Sequence, residues 1–409
     1  MPQSQPQKKN MSFRAARSAA GYTQQQLANE LGVDVRQVGR WESNKPGWPK
    51  QPALRNRIME LLGRDNMASL GFTEPAREQV QSPQGLAESP VAGRFPVPRQ
   101  RNTARQPGTV AEDFTAVVRA HRRLYWSVPP SDLHPVALAH AALGCVLLPA
   151  TTGLTRVSVA SALAETYLLA GRIEFFDLRA PAQADKTLGN ALQAAGEADD
   201  VLLGAAILAH MAFVPGWSGQ REAALDRMRA ARTYARRGDV SALFAAWLNA
   251  VEAECETRCG NARTGLHLIN QAEDELASGS PHATPQWMDW FSPLRLAAFK
   301  GNTQLAARHL PQARETLLAV LDRLPETEKQ RTVILGDLAM VEATDGRPEE
   351  ACTYASQALD QLEITWYATG MERVKEVRRR LQPHQHQRCV LRLEDQLYAW
   401  STTVSALTG

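Results

Sequence analysis

The sequence predicts an all-α protein: a small N-terminal helical bundle ahead of a long array of stacked helical hairpins. Three observations predict it. Apolar residues recur at helical spacing over residues 11–63 and 111–409, with no convincing strand alternation. Glycine-led segments repeat in the second region at steps of 41, 41 and 45 residues. Between the two lie Pro75, Pro83, Pro90, Pro96, Pro98 and Pro107 among Gln, Arg, Ser and Gly. Residues 64–110 therefore read as a flexible linker, because such a composition buries too little apolar surface to order itself. Residues 1–10 read as a disordered tail.

Thr23 opens the first informative element. It is a good N-cap, and Gln26 three residues on completes a capping box. Leu27 and Leu31 then face inward, and small Ala28 falls where two helices would cross most closely. Gly32 supplies a tight turn, Val33 follows it, and Asp34 caps the second helix and complements its dipole. Val38 and Trp41, at i and i+3, bury that helix against the first. Exposure is left to Val35, Arg36, Gln37, Gly39 and Arg40. Arginine bonds guanine O6 and N7 bidentately, and an apolar side chain meets a thymine methyl. Val35, Arg36 and Arg40 are thus the candidate base-reading residues of a helix-turn-helix. Residues 1–63 carry ten Lys/Arg against four Asp/Glu, a net +6, whereas the remaining residues sum to −3. The positive charge sits where a polyanion would be held.

On Thr23-Gln24, Leu27-Ala28, Leu31-Gly32-Val33, Val38 and Arg40-Trp41-Glu42, residues 12–62 resemble the DNA-binding domain of the lambdoid phage repressor and Cro (XRE) family. The resemblance implies that Gln24 holds a phosphate, and that Gln37, Asn44 and Lys45 grip the backbone for affinity rather than specificity. Gly39 departs from the family, which usually carries a side chain there. It also costs the helix about 1 kcal/mol relative to alanine.

The array follows from its spacing. Gly219, Gly260, Gly301 and Gly346 each end one helical stretch and precede another. Five residues after them stand Ala224, Gly265, Ala306 and Ala351; twelve after them stand Ala231, Ala272, Ala313 and Ala358. A fifth copy, with Ala184 and Ala191, lacks the glycine. Glycine ends a helix in a left-handed residue without steric cost, and small residues seven apart let an antiparallel partner approach. A lone hairpin cannot bury its apolar face, so copies must stack. The pattern resembles tetratricopeptide repeats, with a longer period and poorly filled aromatic positions. In the last helix, Val390, Leu393, Leu397, Trp400, Val404 and Leu407 form a narrow apolar seam that caps the array or pairs with a second subunit.

The whole order is similar to actinobacterial regulators of development and secondary metabolism, and more loosely to peptide-sensing regulators of other Gram-positive bacteria. In the latter, the repeats hold a signalling peptide on their concave face. Trp247, Asn249, Glu252, Trp290 and Arg295 are the candidate effector residues, an aromatic and polar lining that suits a peptide or a small molecule.

Other chemistry finds little support. Five scattered cysteines argue against a disulfide framework and fit a reducing compartment. Cys255 and Cys259 lack partners for a tetrahedral metal set, and His384, His386 and Cys389 read as a solvated turn. No phosphate-cradling glycine loop, G-x-S-x-G or H-E-x-x-H is present, so neither an enzyme nor a cofactor is expected. No apolar run of roughly 18 residues and no signal peptide are read, which predicts a cytoplasmic protein with no membrane partner. The expectation is a homodimeric, sequence-specific regulator on a double-stranded operator. A protein-interaction scaffold whose N-terminal domain docks onto protein is the competing class.

Overall fold

The computed structural model describes residues 11–42, 49, 52–64, 67–72 and 106–408. Among them every regular element is helical. The chain divides into two compact units, residues 1–98 and 99–409.

The first unit contains α1 (Met11–Ala19), α2 (Gln24–Leu31), α3 (Val35–Trp41) and α4 (Pro52–Leu61), followed by a single 3-10 turn at Ala68–Leu70. The capping box forms as expected: the Thr23 hydroxyl accepts from the Gln26 amide, and the Gln26 side chain accepts from the Thr23 N–H. Gly32 takes the left-handed conformation at φ 65°, and Asp34 accepts from the Arg36 amide to start α3. Leu27, Ala28, Val38 and Trp41 are buried, and Leu31 is half-buried. The core reaches past residue 63. Met67, Leu70 and Phe72 are buried with it, and the Phe72 ring meets Phe13 and Trp41 edge-on at 5.4 and 6.4 Å. Averaging composition over the proline-rich stretch hides these three apolar residues at its start.

The second unit begins with α5 (Thr109–Leu124) and α6 (Pro130–Leu147). Five helical hairpins follow: α7 (Gly153–Arg172) with α8 (Pro181–Glu197), α9 (Val201–Trp217) with α10 (Arg221–Ala235), α11 (Ala242–Arg258) with α12 (Ala262–Ser278), α13 (Pro293–Ala306) with α14 (Leu310–Arg323), and α15 (Arg331–Thr344) with α16 (Pro348–Ile364). Then come α17 (Ala368–Arg380) and α18 (Arg388–Thr408). The chain widens into a π-helical turn at Ile173–Asp177 directly after α7.

Three of the expected turn glycines adopt positive φ: Gly219 (73°), Gly260 (86°) and Gly346 (77°). Gly301 does not. It lies inside α13, where the Leu317 side chain packs so closely that a Cβ would stand 2.6 Å away. The turn of that hairpin falls instead on Arg308 (φ 64°), and the turn of the glycine-less copy on Arg179 (φ 54°). Counting five and twelve residues from these arginines gives Ala313 and Val320, and Ala184 and Ala191, all buried. The repeat is therefore more regular than its glycines. Small residues serve close helix crossings, as at Gly216, where a Cβ would sit 2.7 Å from Cys255 Sγ.

Two further findings adjust the expectations. The Pro130–Ala150 segment, 21 residues with mean hydropathy 1.6, is long and apolar enough to cross a membrane by composition, although polar residues interrupt it. Its inner face (Leu133, Ala137, Ala141) is buried, and Val136, Leu143 and Val146 are exposed on its outer face. The apolar seam of α18 caps the array over its first half, with Val390 and Leu393 buried and Trp400 lying 5.8 Å from Trp366. The side chains of Val404 and Leu407 lie outside the described residues.

Candidate functional site

Two places carry chemistry. The first is the outer face of α3. Val38 and Trp41 anchor the helix by its inner face, with no solvent exposure above 1%. Arg36, Gln37 and Arg40 are exposed and Val35 is half-buried, so the predicted base-reading residues share the solvent side. Behind α3 a polar network ties the bundle together. Glu42 at the helix end accepts from Arg17 Nε at 2.6 Å with one oxygen and from Gln24 Nε2 at 2.6 Å with the other. Arg17 also donates to the Tyr22 carbonyl. Gln24 therefore already has a carboxylate partner, which orients its amide at the start of α2. Asn44 and Lys45 lie outside the described residues.

The second place is a cavity in the array. With its open mouth it measures about 960 Å³, of which about 150 Å³ admits the centres of water-sized groups. The smaller figure is the one to set against closed cavities: it is room for a benzene-sized group and lies below the ~300–1,000 Å³ of drug-sized ligand sites. Its wall draws on the C-terminal end of α7, on α9, α11, α13, α15 and α17, and on Tyr125 and Trp126 after α5. The ends of this wall are stitched across great sequence distance. Lys329 Nζ bonds Asp177 at 3.0 Å, and the Thr369 hydroxyl donates to the Phe176 carbonyl at 3.0 Å. The π-helical turn supplies both Phe176 and Asp177.

Aromatic rings dominate the lining. Trp290 stands 5.9 Å from Trp247 and 5.3 Å from His210, centroid to centroid. Cations lie on these rings: Arg295 4.3 Å from the Trp126 centroid, Arg172 4.7 Å from Trp290, and Lys329 3.3 Å from Tyr125. Two cations on this wall and one behind it also hold a carboxylate, through Arg295–Glu328 (3.0 Å), Arg373–Asp337 (3.0 Å) and Lys329–Asp177 (3.0 Å). Burial shifts the titrating groups accordingly. Lys329 is pushed down to about 8, and Asp337 up to about 6. His210 is pushed down to about 3, burial acting first and neighbouring Arg172 adding to it. His210 is thus neutral near pH 7, with its Nδ1–H donated to the Ala206 carbonyl at 2.8 Å.

Of the five residues expected to meet an effector, Trp247, Trp290 and Arg295 line this cavity. Asn249 and Glu252 do not. They sit on another face of α11 and bind the guanidinium of Arg232 on α10, at 2.8 and 2.9 Å. Helical periodicity explains the miss, since positions two and five after Trp247 fall away from its side of the helix. Sequence reasoning also passed over Arg172, Trp217, Tyr367 and Arg373, which the fold brings to the same wall. No local motif marks them. Cys255 and Cys259 donate to the carbonyls of Ala212 and Gly216, both at 3.6 Å. Among the described residues no three His, Cys, Asp or Glu side chains gather as a metal site.

Comparison with known proteins bears on both regions. No curated protein matches the chain. Among solved structures, the Rap conjugation gene regulator of the plasmid pLS20, in complex with the Phr* peptide, is similar at 15% identity and a TM-score of 0.41. The match covers 57% of this chain and 65% of that one. Residues 13–55 match the helix-turn-helix family model, a span that runs from within α1 through α2 and α3 to the start of α4. The N-terminal unit is built around a helix-turn-helix.

Proposed function

We propose that this protein is a cytoplasmic, sequence-specific transcription regulator that reads a DNA operator through α3 and responds to an effector held in the array. One observation carries the first half. A helix pinned from behind by Val38 and Trp41 offers Arg36 and Arg40 to solvent, inside a segment of net charge +6. Such a helix fits the major groove, where arginine reads guanine and Val35 meets a thymine methyl. Gln24, Gln37, Asn44 and Lys45 hold the phosphates on either side. Glu42 then acts as a positioning residue, because it orients the Gln24 amide. A single helix-turn-helix reads one half-site, so the active form is a homodimer on a pseudo-palindrome with half-sites about one helical turn apart.

The test is fluorescence anisotropy of the full chain on duplexes selected from a random library. Selected duplexes should bind at least about a thousandfold more tightly than random ones. Affinity for random duplex should fall steeply with salt as counterions are released. Salt-independent binding, or none, would instead favour the scaffold.

The cavity supports the second half. It is aromatic, with a few charged groups among the rings, as ligand sites are. Its wall also joins residues from α5 to α17, so a ligand there bears on most of the array at once.

A further inference from the structure

The polar groups of the cavity are not balanced. Arg295 and Arg373 on the wall, and Lys329 behind it, each face a carboxylate, whereas Arg172 makes no direct hydrogen bond or ion pair among the described residues and meets only the rings of Tyr125 and Trp290 and the more distant charge of Asp177. Arg172 is only 7% exposed, and its Nε is buried without a partner. The Nε1 of Trp290, whose ring lies 4.7 Å from that guanidinium, is likewise buried and unpartnered. An indole N–H can only donate, and so can a guanidinium. Next to both stands His210, which is neutral and adds no charge.

A buried cation without a counterion is costly, and unmatched buried donors add to that cost. Here they cluster on one wall of a cavity large enough for a ligand. What these donors lack is a directly bonded acceptor, and acceptor oxygens in one plane with a negative charge suit a guanidinium best. A carboxylate supplies both. The surrounding rings of Tyr125, Trp247 and Trp290 offer flat apolar faces to the rest of the molecule.

We infer that the cavity takes a small aromatic monocarboxylate, its acid head bound by Arg172 and Trp290 Nε1 and its ring stacked among the tryptophans. This rests on the reading of the cavity as an effector site, and it selects a small anionic ligand over a peptide. A peptide lying along the wall would meet these donors with neutral backbone carbonyls, leaving the charge of Arg172 unmatched unless its C-terminal carboxylate were seated there. A dianion would meet the acidic groups Glu254 and Asp337 on the same wall.

The probes are indole-3-acetate, phenylacetate and benzoate, each compared with its neutral amide by calorimetry on the full chain without DNA. At least one acid should bind more tightly than about 1 mM, and about 10- to 100-fold more tightly than its amide. Arg172→Gln should remove that preference, and unaltered hydrogen-exchange protection of α7, α9 and α11 would show that the variant is folded. Arg172→Lys should keep part of it. Acids and amides binding alike, a preference that survives Arg172→Gln, or no acid binding at about 1 mM would each overturn the inference. A second measurement separates it from the effector role. If an acid binds as expected but leaves operator affinity unchanged, the ligand assignment stands and the regulatory reading falls. If a peptide shifts operator affinity and no acid binds, the reverse holds.

Discussion

The helix-turn-helix and the array cavity treat buried polar groups in opposite ways. Behind α3, Arg17, Gln24 and Glu42 form a closed set in which each charged or amide group meets another. Reactive chemistry is then left outside, on Arg36 and Arg40. In the array the order is inverted. Arg172, Trp217 and Trp290 keep buried donors without acceptors, on the inside of a cavity. A satisfied network holds one geometry, which suits a surface that must match base edges. Unsatisfied donors destabilise the empty state and are relieved when an acceptor arrives. On the proposed function, one region would keep a single geometry and the other would respond to a ligand.

The contrast breaks first at Glu42. Replacing it by alanine leaves Arg17 buried without its counterion, which should destabilise the first unit by about 3–5 kcal/mol. Hydrogen exchange of the α1–α4 amides in the full chain would show it as lost protection. Replacing Arg17 by methionine and Glu42 by leucine together should restore most of that stability, since an apolar pair leaves no stranded charge. If the single change left protection intact, the network would not hold the bundle. On the outer face, Arg36→Ala and Arg40→Ala should each cost roughly 1–3 kcal/mol of operator affinity and relax the preference at one base. Protection of α1–α4 should stay as it was. An unchanged binding profile for both would remove α3 from the base-reading role.

This difference also sets what could be read before the fold. The helix-turn-helix is local: Thr23, Gly32, Asp34, Val38 and Trp41 lie within nineteen residues and follow capping and periodicity rules. Its polar network was not legible, because Arg17 and Glu42 are 25 residues apart and nothing in their spacing pairs them. The array was legible as a period but not fully in its register, since one of the four expected turn glycines, Gly301, gives way to Arg308, and the copy without a glycine turns on Arg179. Cavity residues were the hardest. Trp247 and Trp290 stand out by type, whereas Arg172 sits in an unmarked LLAGRIEFF run. Its importance comes only from what the fold fails to provide it.

Acid should weaken the array through His210. The unfolded chain accepts a proton there near the ordinary value of 6.5, whereas the folded chain refuses it until about 3. The contribution is complete above pH 6.5 and is lost as pH falls toward 3, by up to about 1.4 kcal/mol per pH unit. His210→Gln should flatten this part of the slope in urea unfolding monitored by tryptophan fluorescence. A slope identical to that of the unaltered chain would mean that His210 takes up its proton in the fold as readily as in the unfolded chain, and that the wall tolerates more positive charge than argued.

The smallest effect concerns the turns, where the two regions solve one problem with different residues. Gly32 in the helix-turn-helix and Arg308 in the array share the left-handed conformation, at φ 65° and 64°. For arginine that conformation costs about 1–2 kcal/mol through its Cβ, whereas glycine incurs no such clash but loses more freedom on folding. Arg308→Gly should therefore stabilise the array slightly, by about 0.5 kcal/mol once the entropy is subtracted. Gly219→Arg should destabilise it by about 1 kcal/mol. Arg179→Gly is a poorer test, because Arg179 also lies 5.4 Å from the Trp217 ring and its loss removes that contact. Opposite signs at Arg308 and Gly219 would show that the turn conformation, and not the residue type, defines the repeat. Destabilisation at both would mean that the Arg308 side chain has a role of its own.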